Sequence, residues 1–238
     1  MSRLFEELDY RPTPIGDISL RRRFEHKLGV DVLEIKLGEE FLMTSLFTAS
    51  EIALARLGLA ELAGEGLDVV VGGLGLGYTA QAVLEHDSVG SLVVVDFLEA
   101  VIDWHVTGLL PLGPGLVADP RCRLVHGDFF AMAQSAGGFD PQAPARTFDA
   151  ILLDIDHSPD SLLDARSTSF YRREGLAALS SHLKPGGVFG LWSDDRPDPA
   201  FTERLAQVFS DARAEPVTFD NPLQDRPFTQ TVYLGRKA

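Results

Sequence analysis

The feature that most constrains this chain is the spacing of its apolar runs. From residue 68 onward, β-rich stretches recur at Asp68 to Val71, Leu92 to Val95, Arg123 to Val125, Phe148 to Leu153 and Val188 to Trp192. Helix-like segments fall between the first two, and again around 173–183 and 198–209. Such alternation folds as a parallel sheet. Val69-Val70-Val71 and Leu92-Val93-Val94-Val95 are continuously apolar, so their strands are covered on both faces, as in a doubly wound α/β sheet. Glu215 to Phe219 and Thr229 to Leu234 read as two more strands, and the short Pro222 to Pro227 loop makes them antiparallel neighbours.

Residues 1–66 read differently. Asp17 to Arg23, Val30 to Leu37 and Glu40 to Met43 are short strands, Leu37-Gly38-Glu39-Glu40 is a hairpin turn, and a helix follows from about Ala49 to Leu57. The expected division is a β-hairpin region with a linking helix at 1–66 and an α/β domain, carrying the candidate site, at 67–238. A chain of 238 residues with 45% hydrophobic content can bury a sizeable core. It contains no run of the roughly 20 apolar residues that span a bilayer, and Met1-Ser-Arg-Leu-Phe-Glu-Glu lacks the order of a signal peptide. A cytoplasmic protein without a membrane partner is expected. Cys122 is the only cysteine and the six histidines show no ligand spacing, so no metal is expected. A net charge of −14 repels phosphates and argues against a nucleic-acid partner. Arg21-Arg22-Arg23 is the one basic cluster, expected to be solvated or paired with local acids rather than to hold an anion.

Gly73, Gly75 and Gly77 form G-x-G-x-G directly after a strand and before a helix. The missing side chains let the backbone approach a ligand, and a helix N-terminus offers free N–H groups. Asp96 ends the next strand, where an acid can accept both hydroxyl protons of a ribose. Asp128 and Phe129, in His126-Gly127-Asp128-Phe129, end the third, where they can meet an adenine's amino group and ring face. The dinucleotide pattern wants G-x-G-x-x-G, but Tyr78 stands at the sixth position, so a single nucleoside fits better than NAD.

Four stretches together carry a resemblance: Val71-Gly72-Gly73, Asp96-Phe97-Leu98-Glu99-Ala100-Val101-Ile102-Asp103, His126-Gly127-Asp128, and Phe148-Asp149-Ala150-Ile151-Leu152-Leu153-Asp154. In order and spacing the chain resembles the spermidine synthase family of aminopropyltransferases, within the S-adenosylmethionine-dependent methyltransferase-like fold. The resemblance implies a class I methyltransferase-like, Rossmann-like sheet with a small N-terminal β appendage, which the closing antiparallel pair also suits. It implies S-adenosylmethionine or its decarboxylated form as cofactor, no metal, a small-molecule acceptor and a homodimer. Asp96, with Phe97 beside it, would bind the ribose, Asp128 the adenine amine, and Asp154 would sit by the transferring group. The chain also departs from the family. The loop acid that grips the amino group of the decarboxylated donor is Gly75 here, which points to ordinary S-adenosylmethionine. The acceptor signature D-x-x-D-P becomes Asp154-Ile155-Asp156-His157-Ser158-Pro159, and the upstream acid and tyrosine are Ser45 and Ala49.

Transfer from a sulfonium to an amine needs an aligned, deprotonated acceptor, and an amine of pKa about 10 must give its proton to a base. Asp154 is the expected base or orienter. Asp156 can line the same face, His157 can shuttle a proton, and Tyr171, with Phe170, can wall the acceptor pocket or pack beneath it. Thr48-Ala49-Ser50-Glu51 reads as a capping box, which explains Glu51 without function. Two readings follow: a transferase that alkylates a small amine, methyl or aminopropyl, and a module that binds the nucleoside without turnover.

Overall fold

A computed structural model describes residues 4–238; Met1 to Arg3, on which part of the signal-peptide reading rests, lie outside them. Four strands open the chain, β1 (Phe5–Thr13), β2 (Gly16–Glu25), β3 (Val30–Leu37) and β4 (Glu40–Thr44), as an antiparallel sheet in sequence order. The first was not anticipated. Phe5–Thr13 buries neither face fully, so it carries no apolar alternation to read. Two of the three consecutive arginines on β2 pair with local acids as expected: Arg22 with Glu6, and Arg23 with Glu25 and Glu34. Arg21 lies over the ring of Phe5.

The rest of the chain runs α1 (Ala49–Ala60), β5 (Leu67–Gly72), α2 (Tyr78–Leu84), β6 (Val89–Asp96), α3 (Glu99–Val106), α4 (Gly113–Ala118), β7 (Cys122–His126), α5 (Phe129–Gln134) and β8 (Phe148–Leu153). After a 3-10 turn at Ala165–Ser169 come α6 (Arg173–Ser180), β9 (Leu183–Ser193), α7 (Pro199–Ala206), β10 (Ser210–Asn221) and β11 (Arg226–Arg236). The seven strands lie in the order β10-β11-β9-β8-β5-β6-β7. β5 to β9 are mutually parallel, and β11 runs antiparallel to both β9 and β10. The parallel core is the one expected from the strand rhythm, and the whole is the Rossmann-like methyltransferase sheet that the resemblance implies.

Alternate residues of each strand point to opposite faces, which divides the interior into two cores. Val69, Val71, Val94 and Leu152 pack with Leu54, Val83 and Trp104 of the helices on one face. Val70, Val93, Ile151 and Leu153 pack with Phe129, Leu176 and Phe201 on the other. The first core also takes in Ile18, Leu20, Ile35 and Leu37, so the small sheet is packed onto the large one rather than tethered to it. Polar contacts also fasten it, among them the Trp104 indole donating to Asp9 (2.6 Å) and Arg11 donating to Asp103 (2.6 Å). β4 and the segment after it thereby lie over the carboxyl ends of the parallel strands, where open α/β sheets bind ligands.

Candidate functional site

The two sheets enclose a cavity of about 570 Å3, within the range of small-molecule sites. One end is built by the tips of β5, β6 and β7. Gly73 follows β5 with φ +92°, and any Cβ there would overlap the Asp154 carbonyl oxygen, so only glycine fits. Gly75 (φ +49°) lies beneath Met43 of β4, whose sulfur would be 2.5 Å from a Cβ at that position. The same sulfur accepts from the Leu76 N–H (3.0 Å). The apolar thioether thus occupies the direction a side chain at 75 would take. Gly73 and Gly75 line the cavity; Gly77 does not. Gly77 is left-handed (φ +94°) and packs on His105 and Leu116, so its role is to turn the chain into α2 rather than to touch a cofactor.

Asp96 reaches the cavity at the end of β6, only 8% exposed. Its two oxygens accept the backbone N–H groups of Leu74 (2.8 Å) and Leu98 (2.7 Å), tying the glycine loop to the neighbouring strand. The Gly75 N–H also approaches this carboxylate. Burial raises its pKa against those hydrogen bonds. Phe97 lines the wall beside it. Asp128 also lines the cavity and caps α5 by accepting from the Ala131 N–H (3.1 Å). The expectation for Phe129 needs correction: its ring is 2% exposed, lies against Gly72 and stacks on Phe139 at 4.7 Å. Little of that ring is left to receive a base, although the residue contributes to the cavity wall.

Asp154, at the end of β8, forms the floor of the cavity. The Thr79 hydroxyl donates to it (2.6 Å), which favours the ionised form, while burial pushes its pKa up to about 6. Next to it lies Glu51, and here the capping-box expectation fails. Thr48 makes no side-chain cap, and the Glu51 carboxyl, 6% exposed, turns into the cavity instead. Burial, then the charge of Asp154, pushes Glu51 up to about 8. The Ser50 contact works against that rise, yet the surrounding network also accommodates a protonated Glu51. The Trp192 indole donates to the Ser50 hydroxyl (2.8 Å), which lies 2.7 Å from a Glu51 carboxyl oxygen and 2.6 Å from the Gln230 amide oxygen. A hydroxyl has one proton to give. If Glu51 carries a proton and donates to Ser50, Ser50 is free to donate to Gln230, and every group is satisfied. The Gln230 orientation is set by its amide N–H, which donates to Asp194 (2.7 Å). A sequence signal for Glu51 existed: it shares a helix stripe with Leu54, Ala55 and Gly58 at i+3, i+4 and i+7, an acid on an apolar face.

Tyr171 is corrected as an acceptor contact, whereas Asp156 does line the cavity, with its oxygens already engaged. Asp156 is 2% exposed, and its oxygens accept the Tyr171 hydroxyl (2.6 Å) and the Leu163 N–H (2.8 Å). Its carboxylate is consumed in folding the 155–170 loop. Tyr171 is buried in the second core and does not line the cavity. His157 stands at the rim, its imidazole 3.0 Å from Glu40 of β4, so the loop after β8 touches the small sheet across the cavity. Among the described residues no group of three or more His, Cys, Asp or Glu is arranged to hold a metal ion, and no helix is long and apolar enough to cross a membrane.

Known proteins share this architecture. Spermidine synthase from Thermotoga maritima superposes with a TM-score of 0.69 at 18% identity, over 98% of this chain and 72% of that one. A spermidine synthase in complex with the transition-state analogue AdoDATO gives 0.69 at 19%, with the same coverage. Human methyltransferase-like protein 13 in complex with SAH gives 0.60 at 19%, over 79% of this chain and 82% of that one. A sequence search of curated proteins found no match. These structural likenesses speak to fold. Lineage comes from the sequence profile of the spermine/spermidine synthase domain, which matches residues 54–221, from α1 to the end of β10. That stretch holds the glycine loop, all the parallel strands and Asp154, and it places the chain in the spermine/spermidine synthase domain family.

Proposed function

We propose that the chain is a transferase that uses S-adenosylmethionine, or its decarboxylated form, to alkylate a small amine at Asp154. The observation that carries this reading is that one cavity joins the Gly73–Gly75 loop, Asp96 and Asp128 to a pair of carboxyls, Asp154 and Glu51, lying beyond them. The donor supplies an electrophilic carbon on a sulfonium. As the amine nitrogen bonds to that carbon, the carbon–sulfur bond breaks, the electron pair leaves with a neutral thioether, and the nitrogen's proton passes to Asp154. With a pKa near 6, Asp154 is ionised at neutral pH yet more basic than an ordinary aspartate. Glu51, raised to about 8, stays neutral beside it and does not compete for the proton.

Several features of the cavity suit a nucleoside donor: a loop that admits no Cβ at 73, a carboxylate at 96 on the cavity wall, and a second carboxylate at 128. Met43, lying over Gly75, supports ordinary S-adenosylmethionine over the decarboxylated donor, because a thioether offers no charge to the lone ammonium of the decarboxylated form, whereas the amino-acid group of S-adenosylmethionine carries its own balancing carboxylate. Calorimetric titration with S-adenosylmethionine, decarboxylated S-adenosylmethionine, methylthioadenosine and NAD tests this reading. The first should bind at least as well as the second, and NAD should not bind. Preference for NAD, or no nucleoside binding at all, would refute it.

A further inference from the structure

The wall of the cavity on the far side of Asp154 is aromatic, and the nucleoside has no use for it. In the sheet order, β6 and β7, which carry Asp96 and Asp128, lie on one side of β8; β9, β11 and β10 lie on the other. At strand spacings of about 4.8 Å, the rim of β11 is roughly 10 Å from that of β8. Phe219 of β10 and Phe228 of β11 are direct cross-strand partners there, both lining the cavity. Phe47, in the link between β4 and α1, stacks on Phe219 at 5.9 Å and 28°, and Phe228 tilts against Phe219 at 6.0 Å. None of the three rings is fully buried. Half-exposed rings converging in a cavity present apolar area for a ligand to cover.

The polar lining contributed by β10, β11 and their turn carries no charge: it is Asn221, Gln224 and Gln230, besides the two phenylalanines. The carboxylate on this side is Asp194, just after β9, which accepts the Gln230 amide N–H. Phe228 and Gln230 stand on one face of β11, about 7 Å apart along the strand. Gln230 contacts Ser50, and Ser50 contacts Glu51. The cavity therefore has carboxyls at Asp154, Glu51 and Asp194, and rings about 7 Å beyond Gln230 along β11. Neither β10 nor β11 contributes an anionic group to the lining around the rings, so an ammonium group placed among them would meet no carboxylate from these two strands.

We propose that the acceptor is a monoamine on a flat apolar body, an arylalkylamine in chemical class, with its nitrogen at Asp154 and its ring against Phe47, Phe219 and Phe228. This rests on the transferase reading for the role of acceptor, but the binding preference can be measured without turnover. The test is calorimetric titration of 2-phenylethylamine and of butane-1,4-diamine into the full chain, alone and saturated with S-adenosylhomocysteine. The aromatic amine should bind at least tenfold tighter than the diamine. Phe219→Ala and Phe228→Ala should each weaken the aromatic amine at least fivefold while leaving diamine and nucleoside affinity within twofold. Phe219→Leu, which keeps apolar bulk and loses the ring, should fall between, and thermal melting verifies that each variant is folded. Equal or tighter binding of the diamine, no binding of either amine at millimolar concentration, or equal losses for both amines in the variants would overturn the proposal. Absence of nucleoside binding with the amine preference intact would count against the proposed function and leave the ring subsite standing.

Discussion

At one end of the cavity, the tips of β5, β6 and β7 deliver Gly73, Asp96 and Asp128, and backbone amides hold Asp96 in place. At the other end, β4, the link to α1, the 155–170 loop and the β10–β11 pair each contribute side chains, held by side-chain contacts such as His157 to Glu40 and Phe47 to Phe219. The first end is fixed by the same hydrogen bonds that make the sheet. The second depends on how separate elements pack against one another. Alteration of the first should therefore damage the fold and nucleoside binding together, and alteration of the second should change what is accepted while sparing both.

The largest effect expected on this contrast is at Gly73. Gly73→Ala forces a Cβ into the Asp154 carbonyl at a φ of +92°, and should cost about 3 kcal/mol or more of stability and abolish measurable nucleoside binding. A variant that denatures like wild type would break the claim that backbone geometry fixes this end. Asp96→Ala should weaken nucleoside affinity at least tenfold, about 1.4 kcal/mol, since it removes both the ribose acceptor and the anchor of the Leu74 amide.

Glu51 sharpens the comparison from the middle of the cavity. Its carboxyl titrates near 8 when folded, against an ordinary value of 4.5, so the folded chain holds that proton more tightly than the unfolded one. The stability this confers is complete below pH 4.5 and is lost as the pH rises through 8. Glu51→Gln keeps the hydrogen-bond pattern without the titration. Its unfolding free energy should decline less between pH 5 and 8 than that of wild type, by on the order of 2 kcal/mol. Parallel pH profiles would show Glu51 to be ionised at neutral pH. The smallest effect is expected at the rim. Glu40→Gln removes a partly exposed pair with His157 and should change stability by under about 0.5 kcal/mol, with nucleoside affinity unaltered.

The same contrast explains what could be read from the sequence. The strand tips are legible because continuous apolar runs such as Val69-Val70-Val71 locate the strand ends, and glycines and acids at those ends have few other uses. Glu51 was hidden by a stronger local pattern: Thr48 and Glu51 have capping-box spacing, and only the packing of α1 turns the carboxyl inward. Tyr171 misled in the other direction, since residue type suggested chemistry but its hydrogen bond to Asp156 serves the loop. Phe47, Phe219 and Phe228 gave no signal, because an aromatic bound for a cavity wall looks the same in a sequence as one bound for a core. β1 was missed because its polar Phe5–Thr13 stretch is ordered by pairing with β2 rather than by burial.

The central claim is that Asp154 receives the proton of a nucleophile alkylated in this cavity. Its most direct test is release of S-adenosylhomocysteine or methylthioadenosine by wild type and Asp154→Asn, each supplied with both donors and a panel of small amines. The account predicts amine-dependent release by wild type and turnover lower by roughly 10² to 10⁴ in the variant, with nucleoside affinity retained. Equal release by both proteins would remove Asp154 from the chemistry, and no release by either, with nucleoside bound, would identify a binding module in place of an enzyme.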